Sequence, residues 1–265
     1  MANMTHSWAA APEKNALTSA APLLTRTAVA FTIMFLAVYA LTFFDARLLH
    51  GVSFWEKPAK FFLSLALHMA TLAWGISLLP VEAQRSRGVR NASYIFVAAA
   101  VFELAYMLYQ AALGEASHFN LSTPFNAHMY KLMGLGAVTL TVVTAYLGWR
   151  IRKAGTTPMH FAAGWSFIVS AVATTLVAGY LAQGQGHWIG GDQTDATGLP
   201  FFHWSTTGGD LRPAHFAALH LMQAVPLIAW FWPDKRIALA SLIAGVAIVG
   251  GLTAQALMGL PLLRI

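Results

Sequence analysis

Residues 237–260 read IALASLIAGVAIVGGLTAQALMGL, an uncharged run that begins directly after Lys235 and Arg236. As a helix rising ~1.5 Å per residue it is long enough to cross the ~30 Å of hydrocarbon in a bilayer. Six further stretches meet the same criterion, about 22–44, 58–79, 92–113, 127–149, 158–183 and 213–232. The expected fold is all-α, a polytopic membrane bundle of seven transmembrane helices over 22–265, preceded by a polar segment over 1–21.

The bulk composition agrees. The chain is 57% hydrophobic and 10% charged, with mean hydropathy +0.59. Soluble domains carry about 25% charged residues, so lipid must be the solvent for much of this surface. The net charge of +6 does not indicate nucleic acid, because the basic residues form short clusters between apolar runs. The absence of cysteine excludes disulfides, thiolate metal sites and covalent c-type haem. The first apolar run is too long for a signal-peptide core and lacks a basic leader, so it is expected as an uncleaved first span.

Local signals mark the ends of the spans. Pro58, Pro158 and Pro213 suit a first helical turn, and Asn126 is a potential N-cap of the fourth helix. Pro226 should kink the sixth span and free the carbonyl of Met222. The connections are short except for residues 184–212, a Gly-rich polar loop of a length usually functional or disordered.

Alternating threading sorts the charges. One side collects Lys14, Arg26, Arg85, Arg87, Arg90, Arg150, Arg152, Lys153, Lys235 and Arg236 against Glu13, Glu82 and Asp234. The other balances Arg47, Lys57, Lys60, Lys131, Arg212 and Arg264 with six acids. Basic residues accumulate on the cytoplasmic side, so the N-terminus is expected inside and the C-terminus outside. Of the ten histidines, His6 and His160 fall inside. His50, His118, His128, His187, His203 and His215 fall on or near the outer face, and His68 and His220 lie within spans.

Three polar residues fall near mid-depth: His68 on the second span, Glu103 on the third and Gln223 on the sixth. Tyr106 and Gln110 lie one and two turns above Glu103, and Lys131 lies one turn below His128. Ionisable groups inside spans usually face the bundle or water. A cavity open to the extracytoplasmic face is therefore expected between the second, third, fourth and sixth helices. Glu103 must be protonated or paired there, with Lys131 as a partner. A lone His or Gln in a span also serves as an interhelical hydrogen bond, which is the plainer reading of His68 and Gln223.

Three outer segments carry potential chemistry. FWEKPAKF at 54–61 combines an aromatic belt with a helix start. GEASHFN at 114–120 and TPFNAH at 123–128 bring Glu115, His118 and His128 as N/O ligands for zinc, copper or iron. HWSTTGGDLRPAH at 203–215, continuing to His220, is the densest polar cluster. Its Asp210 and Arg212 stand at a helix N-terminus, a ready anion site. His215 and His220 are five apart, about 140° around a helix, and cannot grip one ion without other helices.

KPAKF (57–61), SHFN with TPF (117–120 and 123–125) and WSTTGGDLRPAHFAALH (204–220) together resemble a family of bacterial seven-helix membrane proteins. The resemblance covers most of the chain. It implies the fold and an inner-membrane location, and it brings no activity with it. SLALH, Ser64 to His68, is also similar to the Ser-x-x-x-His of the membrane-embedded metal hydrolases that include alkaline ceramidases and adiponectin receptors. Their late His-x-x-x-His is here His215 and His220, one residue too far apart. The seventh span has no lysine for a retinal Schiff base, which excludes a microbial rhodopsin.

The functional expectation is a membrane enzyme with an acid/base or metal site. Glu103, His68 and Lys131 are its catalytic groups. Tyr106, Gln110, Asp210, Arg212 and Gln223 are its ligand-binding groups, and His118, His128, His203, His215 and His220 its metal ligands. A b-type haem between His68 and His220 is a variant. The alternatives are a transporter or receptor for a small polar, anionic or lipid-like ligand, and a structural subunit.

Overall fold

The protein is described from a computed structural model, which covers residues 21–184 and 186–264. The polar segment expected before residue 21, with His6, lies outside the described residues. Seven helices are long and apolar enough to cross a membrane: α1 Pro22–Ala40, α2 Glu56–Ser77, α3 Arg87–Leu113, α4 Pro124–Ala154, α5 Pro158–Leu181, α6 Arg212–Phe231 and α7 Lys235–Leu257. The described residues thus form an all-α bundle in which seven helices are fit to span a membrane.

Capping explains where the helices begin. Ser86 accepts from Val89 N–H ahead of α3, Thr157 from His160 N–H ahead of α5, and Asp234 from Arg236 N–H ahead of α7. Thr123, not Asn126, caps α4, with Pro124 in its first turn. α3 stops at Gly114, whose φ of 73° closes the last turn, as glycine does without strain. α4 runs well past the expected 127–149 because Arg150, Arg152 and Lys153 continue it beyond the apolar run. Pro226 stays inside α6 without ending it.

α2 is the most enclosed span, and α1 and α7 are the least. The main core joins Phe62, Met69, Leu72 and Ile76 of α2 to Phe96 of α3, Leu147 of α4 and Phe167 of α5. α4 and α5 meet where Gly148 lies against the Gly164 carbonyl, an approach that only a missing side chain permits. The even-numbered turns gather Arg85, Arg87, Arg150, Arg152, Lys153, Lys235 and Arg236 at one end, called here the arginine face.

The opposite end, the loop face, is built rather than loose. Leu48–Leu49 (β1) pairs antiparallel with Val52–Ser53 (β2). They turn through His50 and Gly51, both at positive φ, as a two-residue hairpin requires. Trp188–Ile189 (β3) pairs with Gly209–Asp210 (β4) and ties the two ends of the long loop together. The loop then reaches across: Asp195 N–H donates to the His50 carbonyl at 2.8 Å and Thr194 Oγ1 to the same carbonyl at 3.0 Å. Residues 186–211 form a cap over the bundle.

Candidate functional site

The polar side chains of interest fall into three groups. The first lies between α3 and α4. Gln110 donates to Tyr106 Oη at 2.8 Å, to Asn126 Oδ1 at 3.2 Å and to the Ala116 carbonyl. Asn126 donates to Glu115 Oε2 at 3.1 Å, and so does Asn120. The Ala116 carbonyl can only accept, which fixes the orientation of the Gln110 amide. Gln110 Oε1 is then left buried without a donor.

Glu103 lies one turn deeper than Tyr106 on α3, only 4% exposed. Its Oε1 has no hydrogen-bond partner and presses on Gly136 of α4. The cation within its electrostatic reach is Lys57 of α2, not Lys131. Lys131 is exposed on α4 and makes no hydrogen bond or ion pair among the described residues. Lys57 is half-buried beneath the cap and also makes no direct bond there, while sensing Arg212 and Asp195. Above it His118 sits between the rings of Phe61 and Tyr130, with Nδ1 3.0 Å from Ser117 Oγ. Burial, reinforced by the Lys57 charge, holds that imidazole well below the ordinary histidine range.

The second group crosses the middle of the bundle. His68 Nε2 lies 2.8 Å from Thr144 Oγ1. Because Thr144 donates to the Leu140 carbonyl, His68 must be the donor. Gln223 of α6 donates to Thr71 Oγ1 of α2 at 3.0 Å, and its Oε1 faces His220 Nδ1 at 3.2 Å. The expected meeting of His68, Glu103 and Gln223 in one cavity resolves into separate contacts. His68 pairs across to α4, Gln223 pairs with α2, and Glu103 is left without a donor.

The third group is the cap. Arg212 at the start of α6 binds Asp210 through Nε and Nη2, Asp195 at 2.9 Å and the His203 carbonyl. Two carboxylates thus neutralise the guanidinium, and the anion site expected at this helix N-terminus is filled by the chain itself. His187 Nε2 lies 3.3 Å from Asp195. His203 Nε2 lies 2.5 Å from Glu56 on α2, which also holds Lys60 at 2.8 Å. These pairs lock cap to bundle.

The five histidines expected as metal ligands are dispersed. His118 and His203 are engaged as above. His128 is exposed and bonds the Pro124 carbonyl of its own helix. The His215 side chain makes no hydrogen bond among the described residues and lies within electrostatic reach of His220. Among the described residues no group of three or more His, Cys, Asp or Glu can hold a metal ion. His68 has its Nε2 taken by Thr144, the nitrogen that a haem iron or the metal of the hydrolase-like motif would compete for.

Sequence reasoning gave Lys57 only a place in an interfacial segment and Asn126 only that of a helix cap, and it missed Thr71 and Thr144. A signal for α2 was present: Lys57, Ser64 and Thr71 repeat every seven residues, two helical turns. Compared with protein-family models, curated proteins and solved structures, the chain matches none.

Proposed function

We propose that this integral membrane protein is an acid/base enzyme whose working carboxyl is Glu103, reached from the loop face. Glu103 exchanges a proton with a bound molecule, and Lys57 supplies the facing positive charge. Tyr106, Gln110 and Asn126 position α3 against α4 around it. One observation carries this reading. Glu103 Oε1 is buried without a hydrogen-bond donor, although buried polar atoms are ordinarily satisfied and ionisable groups inside spans are costly and functional. The donor-poor surroundings and the unbonded Lys57 amine give the site an acid and a base that nothing among the described residues consumes.

The excess of arginine at one face supports a cytoplasmic N-terminus and an extracytoplasmic cap. A transporter or receptor for a small polar ligand would use the same carboxyl. Liposome flux driven by a proton gradient, lost in Glu103→Gln, would favour that class over an enzyme.

The direct test is labelling with dicyclohexylcarbodiimide, which attacks protonated carboxyls in apolar surroundings, mapped by mass spectrometry. Glu103 is expected to take the label, with a pH dependence that Lys57→Met shifts. An unlabelled Glu103 under conditions where the protein remains folded overturns the reading.

A further inference from the structure

Between α2 and α6, away from Glu103, an open groove of about 310 Å³ cuts into the side of the bundle. Ala70, Thr71 and Trp74 form one wall, and Gln223 and Trp230 the other. All five belong to membrane-spanning helices, and Ala70 and Trp230 are exposed. Whatever fills the groove therefore arrives dissolved in the hydrocarbon. No charged side chain lines it, so a charged ligand would be buried unpaired, at high cost.

The hydrogen bonds around the groove state what it lacks. Thr71 Oγ1 donates to the Leu67 carbonyl at 2.8 Å, so its contact with Gln223 must be an N–H of the amide donating to Thr71. That fixes the amide, and Oε1 then accepts from His220 Nδ1–H. The second N–H of Gln223 is left over in a groove that Gln223 lines, with no acceptor among the described residues. One turn on, Pro226 has no N–H to offer the Met222 carbonyl, and both residues border the same space. The groove thus presents one spare donor between two flat indoles. A pocket of this size, apolar with a few placed polar groups, suits a small ligand.

We infer that this groove binds the ring of a membrane-dissolved quinone, a ring carbonyl accepting from Gln223 between the Trp74 and Trp230 indoles. A quinone is neutral, flat and lipid-soluble, and it carries acceptors that match the spare N–H. The site stands apart from Glu103, and either assignment can fail without the other.

The two indoles supply the readout, since quinones quench indole fluorescence on contact. Decylubiquinone is titrated into the full chain in phosphatidylcholine nanodiscs. Saturable quenching is expected, absent from the Trp74→Phe/Trp230→Phe double variant. Gln223→Leu weakens binding about five-fold, the equivalent of one hydrogen bond. Ala70→Phe changes an exposed position, leaves the core intact and abolishes saturation by filling the groove. The inference is overturned if no saturable quenching occurs, or if saturation survives Ala70→Phe or the double Trp variant. It is equally overturned if brominated phosphatidylcholine quenches the same two indoles as strongly at the same mole fraction, for then the groove holds bulk lipid.

Discussion

The Glu103 carboxyl on α3 occupies the space that a side chain on Gly136 of α4 would need. The absence of a Cβ on one helix is what admits an unbonded carboxyl on the other. α3 and α4 hold this contact between the Tyr106–Gln110–Asn126 network above and the His68–Thr144 bond on α2 and α4. A single glycine therefore sets where the most isolated acid of the bundle rests.

Gly136→Ala should displace that carboxyl or force the helices apart. Overpacking of a closed core costs about 1–3 kcal/mol, and the loss is expected as a lower unfolding temperature in detergent. Glu103→Ala in the same background restores most of it, because the clash is with that side chain. Additive losses from the two substitutions would show that the contact is not the cause.

Arg212 holds the cap, and its replacement should release the cap before the spans. In Arg212→Met the Asp210 side chain, 1% exposed, keeps its charge and loses its guanidinium. The cost is about 3 kcal/mol, the low end for a broken buried pair because Arg212 itself is partly exposed. Hydrogen exchange should rise across 186–211 while α2 to α5 stay protected. Arg212→Lys recovers little, since an ammonium cannot bind Asp210, Asp195 and the His203 carbonyl together. Unchanged protection of 186–211 in Arg212→Met would refute this account.

Acid should loosen the same cap in two stages. Burial holds the His187 imidazole below its ordinary 6.5, although its bond to Asp195 pulls the other way. Burial raises the Asp195 carboxyl, but His187 and Arg212 together bring it below its ordinary 3.8. Both groups bind protons less readily in the folded cap than in the released chain, so protonation favours release. Their contributions are complete above pH ~6.5. The His187 part fades as pH falls below that value, and the Asp195 part below the ordinary carboxylate range. Trp188, whose ring lies 3.8 Å from that of His187, reports the change by fluorescence. His187→Phe is expected to remove the first stage and spare the second.

How much of this was legible in the sequence depends on what each feature needs. The seven spans were, because length and hydropathy are properties of one segment. The start of α5 at Pro158 was too, whereas α4, expected from residue 127, begins three residues earlier behind Thr123. Lys131 was expected inside the fourth span and Lys57 just outside the second, so the sequence pointed to Lys131 as the partner of Glu103. What separates them is the rotation of α2 and α4 about their own axes, which buries Phe62 of α2 and Met133 of α4. The cap was opaque because its partners are remote. His203 meets Glu56 and Thr194 meets His50 across more than a hundred residues, and no local signal predicts such pairs. Arg212 shows the converse error: a helix N-terminus with an arginine reads as a vacancy until Asp195 and Asp210 are seen to fill it.

His68 separates a structural from a chemical role most cleanly. Its Nε2–H is buried and has one acceptor, Thr144 Oγ1, while its ring lies on Phe96 at 4.8 Å. Thr144→Val keeps the shape and removes the acceptor. An unpaired buried donor costs about 1–3 kcal/mol, so the variant should unfold at lower temperature, and Thr144→Ser should return most of the loss. The carbodiimide reactivity of Glu103 should not change in either, because His68 points to α4 through a bond of its own. If Thr144→Val instead altered Glu103 labelling while leaving the unfolding temperature intact, His68 would belong to the acid/base site rather than to the helix packing beneath it.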